Sequence, residues 1–319
     1  MRILYSLLFF LIAFGVSSCG EKDSTLREQS FDEAWLFHRG DIAEGEKQSL
    51  DDSQWRQINL PHDWSIYFDF DHTNSPFTAD AATEVAGGFT VGGTGWYRKH
   101  FYIDAAEKGK CIAVSFDGIY MNADIWVNDR HVANHVYGYT AFELDITDYV
   151  RFGAENLIAV RVKNEGMNCR WYTGSGIYRH TFLKITNPLH FETWGTFVTT
   201  PVATADKAEV HVQSVLANTE KVTGKVILET RIVDKNNHTV ARKEQLVTLD
   251  NKEKTEVGHA LEVLAPQLWS IDNPYLYQVV NRLLQDDKVI DEEYISIGIR
   301  NIAFSAKNGF QLNGKSMKL

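Results

Sequence analysis

Apolar and polar positions alternate along most of this chain. Ile112, Val114 and Phe116 are spaced by Ala113 and Ser115, and Phe142, Leu144 and Ile146 by Glu143 and Asp145. Ile158, Val160 and Val162 continue the rhythm. A period of two puts one side of an extended chain in a core and the other in water, the signature of antiparallel strands. No apolar series at helical spacing outlasts a turn or two beyond the first 16 residues. Short helical pieces are expected only at 31–34 and 51–55, the latter capped by Asp51 or Asp52. Asn128-Asp129, between Trp126-Val127 and His131-Val132, reads as a hairpin turn, because both residues tolerate positive φ.

The pattern changes near Asn187-Pro188. Before it the chain is rich in Trp, Tyr and Gly. After it, longer strands are marked by Val210/Val212, Val226/Leu228, Leu246, Tyr275/Tyr277/Val279 and Ile295/Ile297/Ile299, with charged turns at 234–237 and 250–254. A second sandwich of about 100 residues, immunoglobulin-like in size but without its cysteine pair, fits that spacing. From Ala303 onward neither sandwich is continued. The stretch from Phe304 to Lys315 reads as a hairpin with an Asn-Gly turn, and Met317-Lys318-Leu319 opens another apolar run. With 319 residues and 44% hydrophobic content, two cores are affordable.

The N-terminus stands apart. Arg2 precedes an apolar run from Ile3 to Val16, too short to span a ~30 Å hydrocarbon core and suited to a secretory signal. Val16-Ser17-Ser18-Cys19 resembles a bacterial lipobox, which implies lipidation at Cys19, a polar tether over 20–29, and a chain anchored to a bacterial membrane facing either periplasm or exterior. Of the remaining cysteines, Cys111 is expected as a small buried hydrophobe, and no disulfide with Cys169 is expected. A formal charge of −10 argues against a nucleic-acid partner.

Candidate chemistry concentrates in Arg170-Trp171-Tyr172 and the following Gly174-Ser175-Gly176-Ile177-Tyr178-Arg179. Aromatics, a glycine hinge and arginines make a loop that offers a flat, polar-edged surface. A sugar presents C–H faces to an aromatic and hydroxyls to a planar donor, so such a surface suits it. His62, Asp63 and Trp64 are expected to be structural instead, with Asp63 capping backbone amides and Trp64 wedged between sheets. His131 and His135 have helical spacing in a strand-like context, and His62 and His72 lack a third partner, so no metal site is expected from this chain.

Together with Leu60-Pro61-His62-Asp63-Trp64, Gly95-Trp96-Tyr97-Arg98-Lys99, Gly138-Tyr139-Thr140, Leu268-Trp269-Ser270, Asn273-Pro274-Tyr275 and Gly298-Ile299-Arg300, these stretches occur in an order that resembles the family 2 glycoside hydrolases. The Gly-rich 86–95 loop and the 170–179 segment are most similar to the β-galactosidase branch, although Cys169 stands where that branch often has Ser. The resemblance implies an all-β fold: a jelly-roll sugar-binding sandwich over 30–187, then an immunoglobulin-like sandwich over 188–300. Residues 301–319 would begin a (β/α)₈ catalytic barrel that is otherwise missing.

Retaining glycosidases need two carboxyl groups about 5–5.5 Å apart, and in this family both sit on the barrel. The Glu155-Asn156 and Asn164-Glu165 pairs belong to the first sandwich, so no catalytic residue is assigned. What the resemblance leaves to this chain is contact with the terminal sugar: Arg170 first, Trp171 as platform, Glu84 third. Any metal ion would belong to the barrel. The expected partners are a β-galactoside or related glycan, the catalytic barrel and the membrane, with a homo-oligomer left open. The alternative is a free-standing carbohydrate-binding lipoprotein without hydrolase activity.

Overall fold

A computed structural model describes residues 27–66, 92–165 and 174–318. Within them the chain is built from strands, with a single 3-10 turn at Ala105–Glu107 capped by Asp104 and no α-helix. The two helical pieces expected from the sequence are not formed. At 51–55 the Asp51 carboxylate accepts the Ser53 amide at 3.0 Å and Trp55 closes one turn onto Asp52, after which a strand, Arg56–Ile58, begins at once.

The first unit is a sandwich of two antiparallel sheets. One contains, in spatial order, β3 (Arg56–Ile58), β2 (Trp35–Arg39), β4 (Gly93–Ile103), β9 (Ala154–Asn164), β6 (Ala123–Val127) and β7 (Arg130–His135). The other contains β1 (Glu28–Ser30), β10 (Thr181–Thr186), β5 (Cys111–Phe116) and β8 (Phe142–Asp145). Their facing sides bury Trp35, Tyr97, Ile112, Val114, Phe116, Ile125 and Val160 in one core. Asn128 and Asp129 both take positive φ, 49° and 67°, and close the β6–β7 hairpin as the sequence led us to expect.

Strands β4 and β9 depart from the one-wet-face pattern. Trp96 and Arg98 point away from the core and are nonetheless buried, because residues 40–55 lie over them. The Arg98 guanidinium donates to Asp52 at 2.7 Å and to the carbonyls of Gly45 and Lys47, and the Trp96 indole donates to Asp41 at 3.0 Å. Gly45 must lack a side chain there, since a Cβ would come within 2.7 Å of the Trp96 ring. A buried arginine needs this many acceptors to offset its desolvation. Cys111 is half-buried at the start of β5 rather than in the core, with its Sγ 3.5 Å from Thr219 Oγ1.

The second unit is also a sandwich. In one sheet β13 (Lys207–Asn218) pairs with β11 (Leu189–Phe191), β12 (Phe197–Ala203) and β16 (Lys254–Leu264). The other runs β15 (Thr239–Asp250), β14 (Thr223–Val233), β17 (Tyr277–Gln285) and β18 (Lys288–Ile297). Val210, Val212, Ile232 and Val279 form one buried cluster, and Phe191, Leu216, Leu228 and Leu283 another. Leu246 lies in β15 as expected but faces solvent; Val247 and Leu249 supply that strand's core contacts.

Three motifs scattered over the sequence meet at the end of this sandwich. The Trp269 amide donates to Ile299 O, Ser270 N to Asn273 O, and the Arg300 guanidinium sits 4.7 Å from the Trp269 ring centre. Beyond them, β19 (Ile302–Ser305), β20 (Gly309–Leu312) and β21 (Lys315–Met317) form a three-stranded meander, one strand more than the hairpin expected. Asn313 and Gly314, with φ of 50° and 76°, make its second turn, and Asn313 Nδ2 ties it back to Trp269 O at 3.0 Å.

Candidate sugar-binding edge

The described residues that flank 67–91 and 166–173 lie together at one end of the first sandwich. Gly93 pairs with Asn164 where β4 begins and β9 ends. Asn164 Nδ2 donates to Ser175 Oγ at 2.8 Å, and Ser65 Oγ donates to the same oxygen at 2.8 Å. The Trp64 indole donates to Gly92 O at 3.1 Å. All four ends of the two stretches are thus held in a single buried polar cluster.

The cluster is organised by the Leu60–Trp64 motif. Asp63 Oδ1 accepts the backbone amides of Ser65 and Ser175, each at 2.8 Å, so one carboxylate oxygen fixes both ends of the cluster. A Cβ on Gly174 would overlap Asp63 Oδ2, which is why glycine stands there. Main-chain bonds from His62 N to Ile177 O and from Trp64 N to Ser175 O lay the two segments side by side. Gly176 takes φ +120°, and a Cβ there would overlap the Tyr97 hydroxyl and come 2.9 Å from His62 O. Only glycine fits this crossing.

His62 is buried, and desolvation, helped by the nearby Arg56 charge, pushes its imidazole pKa down to about 4. Its Nδ1 lies 2.8 Å from the Tyr97 hydroxyl. With the ring neutral the hydroxyl donates to Nδ1, while the Tyr97 oxygen accepts from the Ile177 backbone. Burial raises the Tyr97 pKa well above its ordinary value, so this hydroxyl stays protonated. The group is a structural brace and not a proton relay, in line with the structural role expected for His62, Asp63 and Trp64.

Next to this edge is an aromatic surface that sequence reasoning had not singled out. Tyr120 bridges to Gly176 through reciprocal backbone bonds of 2.9 and 2.8 Å. The Tyr120 ring meets Tyr139 edge-on at 5.1 Å, and Tyr139 meets Tyr137 at 5.7 Å. Tyr137 and Tyr139 are 59% and 49% exposed, and the Tyr178 hydroxyl donates to Gly138 O between them. Two half-exposed tyrosines held beside a polar rim can serve as stacking faces for pyranose rings. The signal available in the sequence was the Tyr-Gly-Tyr triplet itself.

Arg170, Trp171, Glu84 and Cys19, the residues expected to contact sugar or carry lipid, lie outside the described residues, as do Cys169 and His72. The two Asn-Glu neighbours are occupied structurally. Asn156 is fully buried and bonds Asn128, Arg151 and Ala154, and Glu165 Oε1 accepts from Thr94 Oγ1 at 2.8 Å. His131 sits 3.3 Å from Asp124, and His135 stacks on Phe142 at 3.8 Å. Among the described residues no group of three or more His, Cys, Asp or Glu could hold a metal ion.

Comparison with known proteins fits this geometry. The sugar binding domain of glycosyl hydrolases family 2 matches residues 29–188, and a further glycosyl hydrolases family 2 domain matches 190–300. A β-galactosidase of Bacteroides ovatus, BoGH2A, is 35% identical over 96% of this chain, which spans 35% of that protein. A β-glucuronidase of Formosa agariphila is 30% identical over 91% of the chain, which spans 31% of it. A solved glycosyl hydrolase family 2 member from Bacteroides cellulosilyticus superimposes with a TM-score of 0.90 at 98% identity, over 92% of this chain and 38% of that one. The chain spans about a third of the length of the curated relatives it matches. It belongs to glycosyl hydrolases family 2, and contains that family's sugar-binding sandwich followed by its immunoglobulin-like sandwich.

Proposed function

We propose that this chain is the non-catalytic N-terminal part of a retaining exo-β-glycosidase acting on β-galactosides. The observation that carries this reading is the braced edge of the first sandwich. Asp63, Ser65, Asn164 and Ser175, together with Trp64 on Gly92, tie together the described residues that flank the stretch containing Arg170 and Trp171 and the stretch containing Glu84. A rigid anchor beside the candidate contact residues is what positioning a terminal sugar requires. The galactoside preference is supported by BoGH2A, although β-glucuronidases share the scaffold. Catalysis itself is assigned to a barrel outside residues 1–319, a reading supported by the chain's matching only about a third of the length of its curated relatives.

A panel of aryl β-glycosides tests this. The full-length protein should turn over β-galactosides in preference to β-glucuronides and β-mannosides, and residues 1–319 alone should be inactive. Arg170→Ala in the full-length protein should lower kcat/KM by roughly 10- to 100-fold, the loss of one charge-assisted hydrogen bond. Turnover by residues 1–319 would overturn the assignment, and a preference for glucuronides would move the substrate. We further propose lipid attachment at Cys19; metabolic labelling with a palmitate analogue should mark the wild type and leave Cys19→Ser unlabelled, and equal labelling would refute it.

A further inference from the structure

Between the two sandwiches lies a groove of about 540 Å³ that shares no residue with the braced edge. That volume falls within the range of roughly 300–1,000 Å³ usual for small-molecule sites. Its floor includes Lys184 of β10, whose ammonium contacts Glu143 at 2.8 Å and Glu28 at 3.2 Å. From β18 comes Glu293, whose Oε1 accepts from Thr196 Oγ1 and from Asn281 Nδ2.

The side wall is Trp194, and its backbone is unusual. The turn from Glu192 to Gly195 closes through Gly195 N to Glu192 O at 2.9 Å, and Trp194 within it takes φ +54°. A bulky residue in the left-handed region is strained. Gly195 is required beside it, since a Cβ would come 2.7 Å from Glu192 Cβ. The result is an indole 67% exposed, with Lys184 Nζ 6.0 Å from its ring centre. Tyr294, 54% exposed, lines the same groove. An aromatic face held out against a backbone penalty points to a ligand, because solvent exposure alone gives the indole nothing.

Charge narrows the ligand class. Arg27 and Lys184 lie among Glu28, Glu192, Glu292 and Glu293; with their ion-pair partners Lys254, Arg282, Asp291 and Glu143 included, four cations stand against six carboxylates. Such a lining repels anions and offers many hydrogen-bond acceptors to hydroxyls. We propose that the groove is a second glycan subsite, in which a neutral pyranose unit of an oligosaccharide stacks on Trp194 while Lys184 and Glu293 meet its hydroxyls. This rests on the reading that the protein acts on glycans, and adds a position that holds one further unit of a longer glycan.

The test uses the full-length protein and thio-linked β-galactotriose, which resists hydrolysis, with its analogue oxidised to a uronate at the terminal C6. Trp194→Ala and Trp194→Phe should leave turnover of an aryl β-galactoside unchanged, which also reports that the fold is intact. By calorimetry Trp194→Ala should weaken trisaccharide binding about tenfold, with Trp194→Phe in between, as expected for the loss of one stacking face. The uronate should bind more weakly than the neutral sugar in the wild type, and that difference should shrink in Trp194→Ala. Identical isotherms for wild type and Trp194→Ala would overturn the proposal, as would a uronate bound more tightly. If aryl β-galactosides are not turned over, thio-linked cellotriose replaces the probe; Trp194-dependent binding of it would keep the groove while the galactosidase reading falls.

Discussion

The two sandwiches solve the same packing problem with different use of polar groups. In the second, buried polar side chains lie mainly within the strand ladders: Thr230 donates to Asn281 across β14 and β17, and Asn281 donates to Glu293 on β18. In the first, the polar cluster of Asp63, Ser65, Asn164 and Ser175 lies where the central strands β4 and β9 begin and end, and joins segments more than a hundred residues apart. Ladder bonds stabilise a regular sheet, whereas bonds at strand ends fix where the strands start and stop. The difference teaches that the first sandwich concentrates buried polar groups where two central strands end, and the second spreads them along its ladders. The contact between the two is itself polar: Arg27 pairs with Asp291 at 2.9 Å, and Asp291 also accepts the Phe191 amide at 2.7 Å.

The strongest way to break this comparison is to add one methyl group to each region. Gly176→Ala places a Cβ on the Tyr97 hydroxyl and near the His62 carbonyl at a φ of +120°. Neither neighbour can yield, so the variant should lose about 3 kcal/mol or more in denaturant unfolding, and the expressed protein should be partly insoluble. Gly224→Ala, in β14 with φ +147° and nothing within 4 Å, meets only the backbone penalty and should lose about 1 kcal/mol. Equal losses would mean that the edge is no more tightly built than an ordinary strand.

Much of this contrast was readable in the residues. Period-two alternation located the strands, Asn128-Asp129 its turn, and Asp63 its capping role, because each is set by local chemistry. The cover formed by residues 40–55 was not readable. Arg98 and Trp96 lie on the face that alternation assigns to water, and only the tertiary acceptors at Asp41, Gly45, Lys47 and Asp52 explain their burial. The Ser65–Ser175 bond was invisible for a related reason, although Ser175 lies in a stretch the sequence marks: a serine carries no sign of a partner 110 residues away. Leu246 misled because hydrophobicity marks a strand but not which of its faces is inward.

Acid should act on the two regions with opposite signs. His62 has its pKa lowered from 6.5 to about 4, so the neutral-ring brace contributes fully above pH 6.5 and is lost as pH falls toward 4. Asp291 is raised from 3.8 to about 6, burial outweighing the pull of Arg27; its protonated form favours the fold, a contribution present below pH 3.8 and lost as pH rises through 6. Between pH 6 and 4 the two partly cancel. Asp291→Asn removes one side of that balance, so its stability should fall more steeply than the wild type's over this interval, by about 2 kcal/mol at pH 4. Parallel profiles would show that Asp291 does not titrate differently on folding.

The smallest effect sharpens the comparison inside the second sandwich. Leu246 and Val247 are neighbours in β15, opposite Ile227 and Val226, yet Leu246 is 59% exposed and Val247 only 5%. In this register Leu246→Ser should change stability by no more than about 0.5 kcal/mol, although it removes the larger side chain. Val247→Ala should lose about 2 kcal/mol by opening space against Val226 and Leu249. Thermal or urea unfolding of the pair reads the outcome directly. A one-residue slip would exchange the two values, since every side chain of the strand would then face the other way.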